Sequence, residues 1–187
     1  MANFDIYAQF LKSWEAGYSD VKGDRGGKTY KGVTSATWAD YCKRRNLYGY
    51  SAQLKNMTDA QWTDIMKGGY WDACWCDLIH SQGVANIMAD WSINSGPALV
   101  IRKVQTIIGK GLKVDGKMGP NTLSAINAMT PGVLFIHIRN KRKEYYENLA
   151  KKDKTQAKFL KGWLRRNNAM RLNSFILNDK NNTEKAF

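Results

Sequence analysis

Several large protein classes are excluded by what this chain has little of. It carries 3 prolines in 187 residues, so a long stiff linker is not expected. Its 3 cysteines, Cys42, Cys74 and Cys76, are too few for a disulfide scaffold and cannot pair completely. Cys74 and Cys76 stand too close in sequence for an ordinary bridge. Together with His80 they suggest a metal site, but no fourth ligand stands at a recognisable spacing, so they read as free thiols of the core. The longest apolar runs, such as 98–101 and 133–136, fall far short of the roughly 20 residues that cross a bilayer. The opening, MANFDIYAQF, has an acid at Asp5 and no basic segment followed by an apolar one, so no Sec signal peptide is expected. No Ser-His-Asp pattern, phosphate-binding loop, internal repeat or low-complexity tract stands out.

What is present points to a folded protein. Hydrophobic residues make up 43% and aromatics 12%, enough to build a core for one domain or two small ones. The net charge of +13 is unevenly placed. Residues 1–90 hold 10 basic and 10 acidic side chains, so the whole excess lies in the second half. Six of the 7 tryptophans lie in the first half; Trp163 alone does not. The front therefore suits shaped recognition, and the back suits long-range attraction to a polyanion. Nucleic acid, an anionic membrane surface and a bacterial cell wall all meet that description, and charge does not choose between them.

The spacing predicts a mainly α protein with one small β element near residues 18–34. Phe4, Tyr7, Phe10, Leu11 and Trp14 give a helical stripe over 3–16, with Gly17 as its stop. Residues 18–34 are Gly-rich with interspersed β-formers and read as a loop with a short hairpin. Ser35 or Thr37 caps a helix to about Arg45. Thr58 and Gln61 form a capping box for a helix reaching Gly68–Gly69. Residues 70–93 suggest one or two buried helices, ended by Asn94-Ser95-Gly96-Pro97. Further helices are expected over 97–108, 120–129, 131–152 and 156–172, with a frayed tail at 176–187.

One residue is badly placed for stability. Glu15 falls in the last turn of the first helix, where a carboxylate costs about 0.3–1 kcal/mol against the macrodipole. Trp14 and Tyr18 beside it can exclude water. Both effects favour the protonated acid, and such a carboxyl can serve as a general acid near neutral pH. On spacing alone, an exposed helix-end Glu is the plainer reading. The loop behind it changes that balance. It offers Asp20, Asp24, Gly26-Gly27, Thr29, Tyr30 and Thr34. Glycosidic cleavage needs an acid on the leaving oxygen and a second polar or acidic group for the cationic centre or the attacking water. Either Asp alone, standing near Gly, is ordinary turn chemistry.

At this point the residues carry a family resemblance. The string WEAGYSDVKGDRGGKTYKGVT over 14–34 resembles the E-G-G-Y-x-x-D-x-x-D-x-G-G-x-T-x-x-G-I-T signature of the glycoside hydrolase 108 family, lysozyme-like N-acetylmuramidases. DWSINSGP, from Asp90 to Pro97, is similar to the family's D-x-x-x-N-S-G-P segment, and Tyr70-Trp71 also matches. VDGKMGPNTLSAI, from Val114 to Ile126, resembles the D-G-x-x-G-x-x-T-x-x-A turn of peptidoglycan-binding helical modules. Ala16, Lys22, Arg25 and Tyr30 depart from the signature without removing an acid. The resemblance implies a lysozyme-like fold, with a catalytic lobe over 1–95 and a basic peptidoglycan-binding lobe over 96–175.

It also implies hydrolysis of the β-1,4 bond between N-acetylmuramic acid and N-acetylglucosamine. Glu15 is then the general acid. Asp24, nine residues on, is its partner, with Thr34 assisting. Asp20, Gly27, Tyr30, Tyr70 and Asn94 are implied substrate contacts. Trp38, Trp62, Trp71 and Trp75 are sugar-stacking candidates, of which at most one or two are expected to line a cleft, because Trp at helical spacing is usually core. Asp115 is expected to brace its turn, and His80 and His137 to be structural. No cofactor or metal is implied. The expected partners are peptidoglycan strands and the anionic wall, met by a monomer, with no nucleic acid. The expected route is synthesis in the cytoplasm and release to the wall, as for a prophage endolysin. A non-catalytic wall-binding or secretion-accessory protein of the same fold is the alternative. A nucleic-acid binder, suggested by the isoelectric point near 9.7, ranks third.

Overall fold

The computed structural model describes residues 1–14, 18–19, 27–109 and 111–172, and for 18–19 the backbone alone. Its fold is mainly helical and lysozyme-like. Helix α1, Phe4–Trp14, buries Phe4, Tyr7, Phe10 and Leu11, the stripe its spacing predicts. Tyr7 stacks on Trp71 with ring centroids 5.6 Å apart. The expected β element follows as an antiparallel sheet of three short strands in the order β1 (Tyr18–Ser19), β2 (Thr29–Tyr30), β3 (Val33–Thr34). Thr29 lies opposite Thr34, and Tyr30 opposite Val33.

The two-residue turn between β2 and β3 needs positive φ at both positions, and Lys31 (φ 47°) and Gly32 (φ 75°) supply it. Gly32 does so without strain. Lys31 is held there by neighbours: its Nζ meets Asp59 at 2.7 Å, and its carbonyl accepts a 2.9 Å hydrogen bond from the Trp62 indole.

Helix α2 spans Ser35–Arg45. Its cap is Thr34, not the expected Ser35 or Thr37, because Thr34 keeps extended backbone while its Oγ1 accepts the Thr37 N–H. Helix α3, Asp59–Met66, opens on the predicted Thr58–Gln61 capping box, with both reciprocal bonds formed. It does not continue as an α-helix to Gly69. The chain widens into a π turn over Lys67–Trp71, where Gly68 and Gly69 weaken the tighter helix. Two 3-10 turns follow, hinged at Trp75 (φ 51°). Of the apolar stretch 70–93, the later part is α-helical: α4 spans Gln82–Ser95 and is the buried centre of the fold.

Gly96 (φ 80°) ends α4, and Pro97 starts α5, Pro97–Ile108. Helices α6 (Pro120–Ala128) and α7 (Pro131–Lys152) also begin on proline, as the sequence predicts. Helix α8 is shorter than expected. It runs over Leu160–Ala169 after a 3-10 turn at Ala157–Phe159. The tail 176–187 lies outside the described residues. One apolar cluster joins side chains from Phe4 to Met170 and includes Cys42, Cys74 and Cys76.

The D-G-K-M-G turn shows why its backbone matters. Asp115 Oδ1 accepts the Lys117 N–H at 2.9 Å and the Gln105 amide at 3.1 Å, so Asp115 braces the turn. Gly116 has φ 75°, and a Cβ there would stand 2.6 Å from the Ala98 carbonyl oxygen. Gly116→Ala is therefore expected to lower stability by about 2–3 kcal/mol. Urea denaturation checks this, and a loss below about 0.5 kcal/mol would contradict it.

Candidate active site

A groove of about 290 Å³ opens between the hairpin and the helices of the second half. The hairpin contributes Thr29, Gly32 and Thr34. The C-terminal end of α4 contributes Ile93, Asn94 and Ser95. Across from them stand Tyr145, Tyr146 and Leu149 of α7, Gln156, and Trp163 of α8. Tyr146, which is buried, stacks behind the half-buried Trp163 at 5.0 Å with 26° between their planes, so Trp163 and Tyr145 give the groove an aromatic wall. Hydroxyls and amides face that wall. Such a mixture suits a carbohydrate, whose ring has apolar faces and a hydroxylated edge.

Two predicted residues, Thr34 and Asn94, meet in this groove. Thr34 is already engaged: its hydroxyl accepts from Thr37 N–H at 3.1 Å and lies 3.0 Å from Thr37 Oγ1. A hydroxyl held this way is a fixed hydrogen-bonding point with one site left to offer. Asn94 is exposed at the end of α4, directly before the turn that Gly96 makes. Its neighbour Ser95 carries a buried Oγ with no hydrogen-bond partner among the described residues.

Other predicted residues fall elsewhere. Tyr30 packs half-buried against the core while its strand neighbour Thr29 faces the groove, as the alternation of a strand requires. Gly27 is exposed at φ 63° just before β2. Tyr70 lines a separate hollow with Thr37, Asp40, Tyr41 and Asp64. The Thr34–Thr37 hydroxyl contact stands between that hollow and the groove. Glu15, Asp20 and Asp24 lie outside the described residues. Trp14, which precedes Glu15, lies under the guanidinium of Arg165, 5.2 Å from its ring centroid, so the end of α1 meets α8.

The tryptophans divide differently from the expectation. Trp38, Trp62 and Trp71 are buried, with each indole N–H bonded: to the Ala52 carbonyl, the Lys31 carbonyl and Asp77. The groove takes Trp163, which the sequence had set apart as the one tryptophan of the basic half. Tyr145, Tyr146 and Gln156 belong to no motif of the sequence, whereas Thr29 and Ser95 lie within the loop and the N-S-G-P segment. Among the described residues, no three His, Cys, Asp or Glu side chains converge on a point that could hold a metal ion.

Behind the groove lies an ionic cluster. Asp90, one turn before Asn94 on α4, is fully buried. Its carboxylate meets Arg142 of α7 at 2.7 Å and Arg166 of α8 at 2.7 Å, and Tyr7 of α1 donates to it at 3.3 Å. Burial alone would raise this carboxyl, but the two guanidinium groups outweigh burial and hold it at about 2. Burial first, then Asp90 beside it, pushes the Tyr7 phenol well above its ordinary value, so it stays a donor. Arg142 also donates to the Tyr146 hydroxyl at 3.2 Å, which couples the cluster to the aromatic wall.

Two family models match successive parts of the chain. Residues 8–96, which hold the hairpin and the Asp90–Asn94 segment, match the model for glycosyl hydrolase 108. Residues 99–168 match the model of a predicted peptidoglycan domain. The solved structure of Brucella abortus SagA is similar, with a TM-score of 0.74 and 28% identity over 90% of this chain and 92% of that one. No curated protein matches the chain. The chain is thus placed with lysozyme-like glycoside hydrolases of peptidoglycan. The groove lies on the seam of its two matched regions: the glycosyl hydrolase 108 part gives the hairpin and Asn94, and the peptidoglycan part gives the aromatic wall.

Proposed function

We propose that the chain is an N-acetylmuramidase that cleaves the β-1,4 bond between N-acetylmuramic acid and N-acetylglucosamine. Glu15 protonates the glycosidic oxygen. Asp24, assisted by Thr34 or Asp20, steadies the cationic centre or holds the attacking water. The observation that carries this reading is the groove itself, which brings Thr34 and Asn94 together with Tyr145 and Trp163. The end of α1, which precedes Glu15 in the sequence, meets α8 through Trp14 and Arg165. Residues 1–95 act as the catalytic lobe and 96–175 as the basic wall-binding lobe, working together around one groove. The protein acts as a monomer on the wall after release from the cytoplasm, in the manner of a prophage endolysin.

Two experiments test this. Digested sacculi, reduced with borohydride and analysed by mass spectrometry, identify the sugar at the new reducing end. Muramicitol is expected; glucosaminitol would mean that the other glycosidic bond is cut. Binding to sacculi with no new reducing end would favour a non-catalytic wall protein. Second, Asn94→Ala removes one exposed amide from the groove. It is expected to raise KM about three- to tenfold, the worth of one hydrogen bond, with the melting temperature unchanged. An unchanged KM would remove Asn94 from the substrate contacts.

A further inference from the structure

A second groove, of about 340 Å³, lies directly beside the first. Tyr145 and Leu149 of α7 line both, so these two side chains form the ridge between them. The far side is cationic. Lys103 of α5 and Lys141 and Lys152 of α7 surround it, against one carboxylate, Glu144. Positions 141, 145, 149 and 152 recur at helical spacing, so one face of α7 builds both the ridge and the basic rim. Lys141 is paired with Glu144 at 2.9 Å. No carboxylate lies within ion-pair distance of Lys103 or Lys152 among the described residues. Lys103 is half-buried and forms no ion pair, although with Lys141 it helps to hold the Glu144 carboxyl below its ordinary value.

We infer that this groove binds the acidic stem peptide of the muramic acid residue whose glycan strand lies in the first groove. The inference rests on the muramidase reading above. In peptidoglycan the peptide leaves the sugar through the lactyl ether, sideways from the strand, so a strand on one side of the Tyr145–Leu149 ridge presents its peptide to the other. The chemistry is complementary. A stem peptide combines alanine methyl groups with free carboxylates, and the groove combines Tyr145 and Leu149 with unpaired ammonium groups. A poly(glycerol phosphate) chain, another anion of bacterial walls, would use the lysines but not the apolar ridge. The groove thereby favours strands that carry uncleaved, unamidated peptides over bare glycan.

The test uses the full-length protein and the double variant Lys103→Gln/Lys152→Gln. Both side chains lie outside the apolar core and lack ion pairs, so the variant is expected to fold, checked by its melting temperature. The first readout is direct binding of a synthetic acidic stem tetrapeptide, followed by calorimetry or by chemical shifts of the α7 face. The wild type is expected to bind it, and the double variant about fivefold more weakly, as is the wild type with an amidated peptide. The second readout is turnover on intact sacculi and on sacculi stripped of peptide by an amidase. The variant is expected to show a raised KM on the first substrate and the wild-type KM on the second. Equal effects on both substrates, or no effect on either, would overturn the inference. So would displacement by poly(glycerol phosphate) with no binding of the peptide. Peptide binding without turnover of either substrate would instead refute the muramidase reading and leave the peptide site standing.

Discussion

Asp90→Asn is expected to lower the unfolding free energy by about 3–5 kcal/mol, the usual cost of removing one partner from a buried ionic cluster. The reason is the position of the cations. Arg142 has no exposed side-chain surface, and Arg166 has 16%. With the carboxylate present, the two guanidinium groups share one counter-charge, and each is hydrogen-bonded to it. With an amide, two positive charges remain in the interior, and the amide NH2 faces donors. Asp90 also joins four helices, since its partners lie on α1, α7 and α8. For a chain of this size the loss corresponds to a fall in melting temperature of about 10 °C. The exposed Lys141–Glu144 pair provides the contrast, because truncating Lys141 should cost less than about 1 kcal/mol. A loss for Asp90→Asn as small as that would mean that packing alone holds the four helices together.

The same cluster predicts acid sensitivity, with a definite sign. Asp90 sits at about 2 in the folded protein, below its ordinary value of 3.8. A depressed carboxyl stabilises the fold above the unfolded value and loses that contribution as pH falls through the folded one. About 2 kcal/mol should therefore disappear between roughly pH 4 and pH 2. Urea midpoints measured across that range in the wild type and in Asp90→Asn should converge as pH falls. Parallel curves would assign acid unfolding to other groups.

Much of the fold is legible in the sequence because its signals are local. Proline at the start of α5, α6 and α7, the Thr58–Gln61 box and the Gly96 stop each act within one turn of chain. The Phe4-to-Trp14 stripe is equally local. Local signals fail between Lys67 and Leu78, where apolar content is high but paired glycines and the left-handed Trp75 break the α-helix. The site is less legible than the fold. Thr34 and Asn94 were reachable from the family motifs, and they do meet. Tyr145, Tyr146 and Trp163 were not, because they join the groove from more than 50 residues downstream of Asn94 through helix packing. An aromatic pair, Tyr145-Tyr146, within a strongly basic helix was the available signal. Asp90 shows the same limit. Its motif marked it, but its role depends on two arginines 52 and 76 residues away.

Glu15→Gln is expected to carry the largest effect on activity, a fall in kcat of about 1,000-fold, the usual share of a general acid. Glutamine keeps the shape and hydrogen-bonding edge of the side chain, so KM should change little. It cannot donate the proton that the leaving sugar oxygen needs. Stability should hold or rise slightly, because a carboxylate near the C-terminal end of α1 opposes the helix dipole and an amide does not. This opposite movement of rate and stability separates a catalytic role from a structural one. The decisive measurement is the rate of reducing-end release from purified sacculi by wild type and Glu15→Gln at equal concentration, with both melting curves recorded. The account predicts loss of release in the variant with a melting temperature equal to or above that of the wild type. Equal release by both proteins would contradict it and take Glu15 out of the reaction.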